Sequence, residues 1–312
     1  MITKVFGTGG IGTGIFFQLD DNRPISRDES RAAVLTDFKD YCKGHIIMHY
    51  VSVLSPSAKV YMLGMVGRDE PGRGLIGEMQ AAGIDTRYLK ITDEAPTMFS
   101  VCYQFPDSAG GNLTASNSAC GLVTPAYMDE CSREIDANSL VLAAPEVPLE
   151  SRIRLLEIGR QRGAVTVASF LSAEAEDFEK SGGFALADII SINADEARAV
   201  CSGGLISAAE KITSVNPAVK LVITEGKNGS HLFENGTYIH IPCIPVEKVV
   251  STAGAGDAFL GGLVLAVIAG KNLKDAAAYG AAAARLSVMS ANTIAETVTV
   301  DALARSEKIC TH

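Results

Sequence analysis

The stretch Val249-Val250-Ser251-Thr252-Ala253-Gly254-Ala255-Gly256-Asp257-Ala258-Phe259-Leu260-Gly261-Gly262-Leu263-Val264 passes from an apolar strand end, through a turn of small residues, into a long apolar helix. With Gly254, Ala255 and Gly256 at the turn, backbone N–H groups at the helix start can approach an anion closely. The helix dipole favours negative charge at the same point. Asp257, in the first helical turn, reads in two ways: as the acidic residue that commonly complements a helix N-terminus, or as a general base facing the anion.

Outward from this stretch, short apolar runs bounded by turn residues alternate with helix-like segments. Val60–Met65, Ser139–Ala144, Ala164–Ala168, Asp188–Ile192 and Leu221–Thr224 read as buried strands. Strands apolar on both faces, separated by helices, predict a three-layer, doubly wound α/β fold with a mainly parallel sheet covered on both sides. Two regions break the rhythm, Ile15–Pro24 and Thr97–Asn117. In the second, residues 98–105 alternate as an exposed antiparallel strand would, and Gly110-Gly111-Asn112 supplies a turn signal. These regions predict a small separate sheet, inserted at about 13–26 and 96–119 of a single domain spanning 1–312. Leu273–Ser290 is Ala-rich and helical in pattern.

The bulk properties narrow the partners. A chain of 312 residues with 47% apolar and 20% charged residues is an ordinary globular protein, not a disordered one. A net charge of −9 disfavours nucleic acid and anionic lipid as general partners, which leaves small molecules or other subunits. The seven cysteines (Cys42, Cys102, Cys120, Cys131, Cys201, Cys243, Cys310) never fall in Cys-x-x-Cys spacing. Neither a disulfide framework nor a zinc site is expected, and a reducing cytoplasm is the simplest home. The opening Ile2-Thr3-Lys4-Val5-Phe6 reads as a strand, so no export leader is expected, and the longest apolar run, Ala258–Ala269, is too short for a bilayer that needs roughly 20 residues.

The segment 251–257 resembles the Asp-Thr-x-Gly-Ala-Gly-Asp signature of the ribokinase-like (PfkB) carbohydrate kinases. Further pieces follow that family's order: Val66-Gly67-Arg68-Asp69-Glu70-Pro71-Gly72 resembles its Gly-x-Asp-x-x-Gly segment, and Gly83-Ile84-Asp85-Thr86 its Gly-Val-Asp-Thr. Asn193-Ala194-Asp195-Glu196 resembles its Asn-x-x-Glu motif, and Thr224-Glu225-Gly226-Lys227-Asn228-Gly229 its Thr-x-Gly-x-x-Gly segment. Five pieces in order cover most of the chain. The resemblance implies a three-layer body with a small β lid and phosphoryl transfer from ATP to a hydroxyl. Asp257 would take the hydroxyl proton, and the amides of Ala253, Gly254, Ala255 and Gly256 would stabilise the transferring group. Asn193 and Glu196 would organise Mg²⁺ through water. Thr224, Gly226 and Gly229 would line the nucleotide site. For Asn193 and Glu196 helix capping is the plain alternative, and for the glycines a strand end and hairpin turn.

The resemblance weakens toward the N-terminus. Ser251 stands where the family commonly has Asp, which puts a monovalent-cation site in doubt. Gly7-Thr8-Gly9-Gly10-Ile11-Gly12-Thr13-Gly14 lacks the acid that holds sugar hydroxyls in relatives, and Lys43-Gly44-His45-Ile46-Ile47-Met48-His49 keeps Gly44 of the usual glycine pair, with His49 near the expected Asn. Gly44, His49, Gln104 and Asn112 are the candidate substrate contacts, and Asn117 is a further polar lid residue. The expected activity is therefore an ATP-dependent, Mg²⁺-assisted kinase of a sugar, sugar derivative or nucleoside, with a homodimer through the lid, where Phe99, Val101 and Tyr103 share an apolar face. Two alternatives stand beside it. One is a non-catalytic nucleotide- or metabolite-binding relative. The other is a Rossmann oxidoreductase, suggested by Gly7-x-Gly9-x-x-Gly12 but without the hydrophobic strand and acidic residue that should follow about 20 positions on.

Overall fold

A computed structural model describes residues 1–107 and 109–310, together with the side chains of all of these except 37–40 and 306–310. In chain order the strands begin with β1 (Lys4–Thr8), β2 (Gly12–Gln18), β3 (Val34–Tyr41), β4 (Lys59–Gly67), β5 (Ile84–Asp85), β6 (Leu89–Thr92) and β7 (Met98–Gln104). They continue with β8 (Gly110–Thr114), β9 (Ser139–Ala143), β10 (Val165–Ala168), β11 (Ile189–Asn193), β12 (Lys220–Thr224), β13 (Ser230–Glu234) and β14 (Thr237–Ile241). The helices are α1 (Lys43–Leu54), α2 (Glu70–Ala81), α3 (Pro125–Cys131), α4 (Leu149–Gln161), α5 (Ala175–Lys180) and α6 (Gly183–Leu186). The remaining ones are α7 (Ala194–Val200), α8 (Leu205–Val215), α9 (Ala255–Ile268), α10 (Leu273–Ser287) and α11 (Val300–Cys310).

The large sheet runs β14-β13-β12-β11-β10-β9-β1-β4-β5, with β6 beside the end of β4. It is parallel from β12 to β5, and β13 and β14 add an antiparallel hairpin at one edge. The five apolar runs named above lie in β4, β9, β10, β11 and β12. Every residue of Ser139–Ala143 is buried, as an apolar strand sandwiched between helices must be. On one face α1, α9, α10 and α11 pack around Tyr50, Ala258, Ala282 and Leu303. Sheet order reverses at β1, whose neighbours β4 and β9 lead to opposite edges, so the crevice at the carboxyl ends of β1 and β9 is a topological switch point.

The small sheet, ordered β3-β2-β7-β8, stands apart as expected, but its make-up differs in three respects. Residues 19–33 form no strand; the edge strand β3 comes instead from Val34–Tyr41. Strand β7 pairs in parallel with β2 and antiparallel only with β8. Gly110 and Gly111 lie within β8 rather than in the turn, because Tyr103 of the partner strand fills the space that side chains there would take. The turn instead closes through the Phe105 N–H, which donates to the Ala109 carbonyl at 2.7 Å.

The glycines of residues 7–14 join β1 to β2 and open no helix, which removes the dinucleotide fingerprint's structural context. Among the described residues Cys42, Cys102, Cys120, Cys131, Cys201 and Cys243 form no disulfide, and Cys310 lies outside the described side chains. Among the described residues no helix is long and apolar enough to cross a membrane.

Candidate active site

A cleft at the carboxyl ends of the parallel strands is lined by Pro145 beyond β9, Ser169 and Phe170 beyond β10, and Asn193 and Glu196 at the β11–α7 junction. Thr224 at the end of β12, Lys43 of α1, and Gly256, Asp257 and Leu260 of α9 complete it. Arg152, fully buried, supports the floor by donating to the Ser169 carbonyl at 2.6 Å while both oxygens of Glu174 neutralise it at 2.9 Å.

Helix α9 begins at Ala255 after Gly254, which is left-handed (φ 75°) and lies so close to the Thr293 carbonyl that a Cβ would collide with it. Tyr50 braces that carbonyl: its hydroxyl donates to Thr293 O at 3.2 Å and accepts the Ala295 N–H at 2.8 Å. Of the turn amides, Ala253 donates to Ser251 Oγ (3.2 Å) and Ala255 to the Thr252 carbonyl (3.3 Å). The Gly254 and Gly256 amides face no protein acceptor among the described residues, so both are open to an acceptor from outside the chain.

Asp257 is 8% exposed. Lys43 Nζ stands 3.6 Å from its Oδ1. The charge of Asp257, with further support from Glu146 and Glu196, holds the Lys43 ammonium well above the ordinary lysine range despite the opposing effect of burial. One cation thus sits among three carboxylates.

Glu196 and Asn193 form a reciprocal capping box at α7. Asn193 Oδ1 accepts the amides of Asp195 and Glu196, and Glu196 Oε2 accepts the Asn193 N–H at 2.7 Å. Capping therefore occupies one oxygen of Glu196, while the other has no protein partner among the described residues. Burial raises the Glu196 carboxyl above its ordinary value, outweighing the Asn193 N–H and the Lys43 charge.

The other sequence-predicted positions fall elsewhere. Gly226 and Gly229 bracket the turn that follows Thr224. Gly44 packs against Gly9 so closely that a side chain would strike backbone, tying α1 to the β1–β2 connection. His49 lies beyond Lys43 on α1, partly buried beside His45 and Tyr50. Gln104 ends β7, where its carbonyl accepts the Leu19 N–H, and Asn112 is exposed on β8. None of these six lines the cleft.

Two residues that bear on the cleft escaped the sequence reading: Lys43, which lines it, and Glu146, which acts on Lys43 without lining it. Lys43 occupies the first position of a helix, where the dipole disfavours a cation, and its N-cap, Cys42, provides no side-chain cap. The missing cap comes from Glu146, whose Oε2 accepts the Lys43 N–H at 2.8 Å. Glu146 is itself held at φ 75°, which is uncommon for a residue with a side chain. A lysine placed against the helix rule was the available signal for the first; local sequence carried none for Glu146.

Comparisons with known proteins bear on the fold and the family. The ribokinase of Bacillus subtilis is 29% identical over 257 residues, covering 82% of this chain and 84% of that protein. The structure of Arabidopsis thaliana ribokinase complexed with ribose and ATP superimposes with a TM-score of 0.80 at 20% identity, covering 99% of both chains. The Burkholderia thailandensis nucleoside kinase in complex with inosine gives 0.79 at 18% identity, again over 99% of both. At such identities the two structures establish the shared fold. Residues 47–299, most of the chain, match the model of the pfkB family carbohydrate kinases, and the chain belongs to that family as a sugar or nucleoside kinase.

Proposed function

We propose that the protein transfers the γ-phosphoryl group of ATP to a hydroxyl of a sugar, sugar derivative or nucleoside in a reducing cytoplasm, with Asp257 as the general base. The observation that carries this reading is a buried carboxylate on the first turn of α9, ion-paired to Lys43, in a cleft at the sheet's switch point. The ribose, ATP and inosine named for the two structural neighbours support the donor and the acceptor class.

In this reading an Asp257 oxygen takes the acceptor's hydroxyl proton. The freed oxygen attacks the γ-phosphorus, and the bond to the β–γ bridging oxygen breaks to leave ADP. The Gly254 and Gly256 amides and the Lys43 ammonium stabilise the negative charge on the transferring group. Thr224, Gly226 and Gly229 lie along the nucleotide.

The donor set fits a hydrated Mg²⁺ held chiefly by the nucleotide: Glu196 offers a carboxylate oxygen, and no cluster of three ligand side chains exists among the described residues. When bound, that ion neutralises charge on the β- and γ-phosphates. Ser251 brings only a hydroxyl, already engaged by the Ala253 amide, so no charged ligand for a monovalent cation stands at that position.

Where the β1–β2 connection has no acid, Glu146, which follows β9, lies against Gly10 and caps α1 through the Lys43 N–H, would receive an acceptor hydroxyl. The outer face of the lid carries Phe99 (42% exposed) and Leu113 (73%), with Val101 paired to Leu113 across β7 and β8. That apolar face would pair two copies of the chain.

An ATP-consumption screen over sugars and nucleosides tests the reading. Asp257→Asn should lower turnover by roughly 10²–10⁴-fold with nucleotide affinity retained. ATP binding without turnover on any acceptor would favour the non-catalytic alternative, and undiminished activity in Asp257→Asn would remove the base.

A further inference from the structure

His231 and His240 stand directly opposite each other on the β13–β14 hairpin, with ring centroids 5.1 Å apart. Because side chains alternate along strands, Phe233 and Tyr238 lie on the histidines' side of the hairpin and Leu232, Ile239 and Ile241 on the other, and Phe233 as well as these three packs against the core. His240 Nε2 lies 2.7 Å from the Asn228 carbonyl. A carbonyl only accepts, so this nitrogen carries the hydrogen. His231 Nε2 lies 3.1 Å from Glu225 Oε2, and its Nδ1 lies 3.0 Å from the Tyr238 hydroxyl. A neutral ring satisfies both, donating from Nε2 to the carboxylate and accepting the tyrosine O–H at Nδ1. Arg198 Nη2 approaches the other Glu225 oxygen at 3.6 Å.

Both histidines therefore grip one short segment, 225–229, from outside: one by its first side chain, the other by its fourth carbonyl. The segment closes on itself through Glu225 N–H to Gly229 O (2.8 Å) and Asn228 N–H to Glu225 O (3.0 Å). It follows immediately on Thr224, which lines the cleft. The hairpin does not need the histidines to hold together, since five residue pairs and the apolar inner face already secure it. Their hydrogen bonds act on the turn.

We propose that His231 and His240 are positioning residues for the nucleotide, clamping the 225–229 turn in its binding shape before ATP arrives. The proposal rests on the assignment of Thr224, Gly226 and Gly229 to the nucleotide. A turn fixed in advance loses less conformational freedom on binding, so the clamp acts on affinity and leaves phosphoryl transfer untouched.

The test titrates MgATP calorimetrically into the acceptor-free, full-length protein. His231→Ala and His240→Ala should each weaken ATP binding roughly three- to tenfold, the range of one hydrogen bond. His240→Gln, whose amide N–H reaches the same carbonyl, should return within about twofold of wild type, and thermal melting should show all variants folded. Alanine variants that bind ATP as tightly as wild type, with or without a lower melting temperature, overturn the clamp. A wild type that binds no ATP overturns the nucleotide assignment itself, and the clamp with it.

Discussion

At the phosphate end of the cleft, charge converges: a helix N-terminus with two open amides, a lysine, and the carboxylates of Asp257 and Glu196. At the lid end the chain offers mainly sulfur, methyl groups and bare backbone, with Glu146 the one carboxylate placed there by its contacts with Lys43 N–H and Gly10. Cys42 Sγ lies 3.4 Å from Met98 Sδ, and Cys120 Sγ accepts the Ile11 N–H at 3.3 Å. Burial pushes the Cys120 thiol up to about 12, so it is neutral there. Gly44 and Gly9 touch through backbone alone. The contrast follows from what each end must do. Phosphoryl transfer develops the same charges whatever the acceptor, so its stabilisation calls for fixed electrostatics. Recognition of one acceptor is a matter of shape and a few polar contacts, and the residues that provide it can be exchanged without disturbing the chemistry.

Lys43 is the residue at which the two ends meet, and its removal offers the largest test of that division after loss of Asp257 itself. Lys43→Met keeps the aliphatic stem and deletes the ammonium. If the charge serves the transferring group, kcat should fall by roughly 10²-fold for every acceptor, the scale of losing one preorganised stabilising group, while ATP binding weakens far less. A drop confined to one acceptor's KM would move Lys43 to the lid end and redraw the boundary.

Legibility in the sequence divides along the same line. The five core strands were readable because a strand buried on both faces is apolar along nearly its whole length, as in Leu140–Ala143 of β9. The α9 turn was readable through its run of small residues, of which Gly254 is required because a Cβ there would strike the Thr293 carbonyl. Strand β3, with the sequence Val-Leu-Thr-Asp-Phe-Lys-Asp-Tyr, is an edge strand of a small exposed sheet, and its charges hid it. The parallel pairing of β2 with β7 joins residues more than 80 positions apart, for which no local pattern exists. Glu146 belongs to the same class: it caps a helix 103 residues away in sequence, through a backbone conformation that sequence does not announce.

Glu146 therefore gives a sharper test of the lid end. Glu146→Gln retains a carbonyl oxygen for the Lys43 amide and removes only the charge. The acceptor KM should rise roughly tenfold, the cost of turning a charge-assisted hydrogen bond into a neutral one, with kcat at saturation and KM for ATP within about twofold of wild type. Equal losses in kcat and kcat/KM would instead assign Glu146 to the transition state, and the phosphate end would extend past Lys43.

The smallest effect on turnover is expected farthest from the cleft, on the outer face of the lid. Leu113, 73% exposed on strand β8 and paired across from Val101, is the most protruding apolar residue of that face. Buried in a lid-to-lid contact, a carboxylate at this position would have to be desolvated without a partner, a cost large enough to disfavour association. On gel filtration at micromolar concentration the wild type should run as a dimer and Leu113→Glu as a monomer. In the reading that places the acceptor under the lid, the monomer should show a modest rise in acceptor KM, within about threefold, and no change in ATP affinity. A wild type already monomeric at that concentration removes the dimer. A variant that loses ATP affinity as well would show that the two ends of the cleft are coupled through the lid, and would break the division between them.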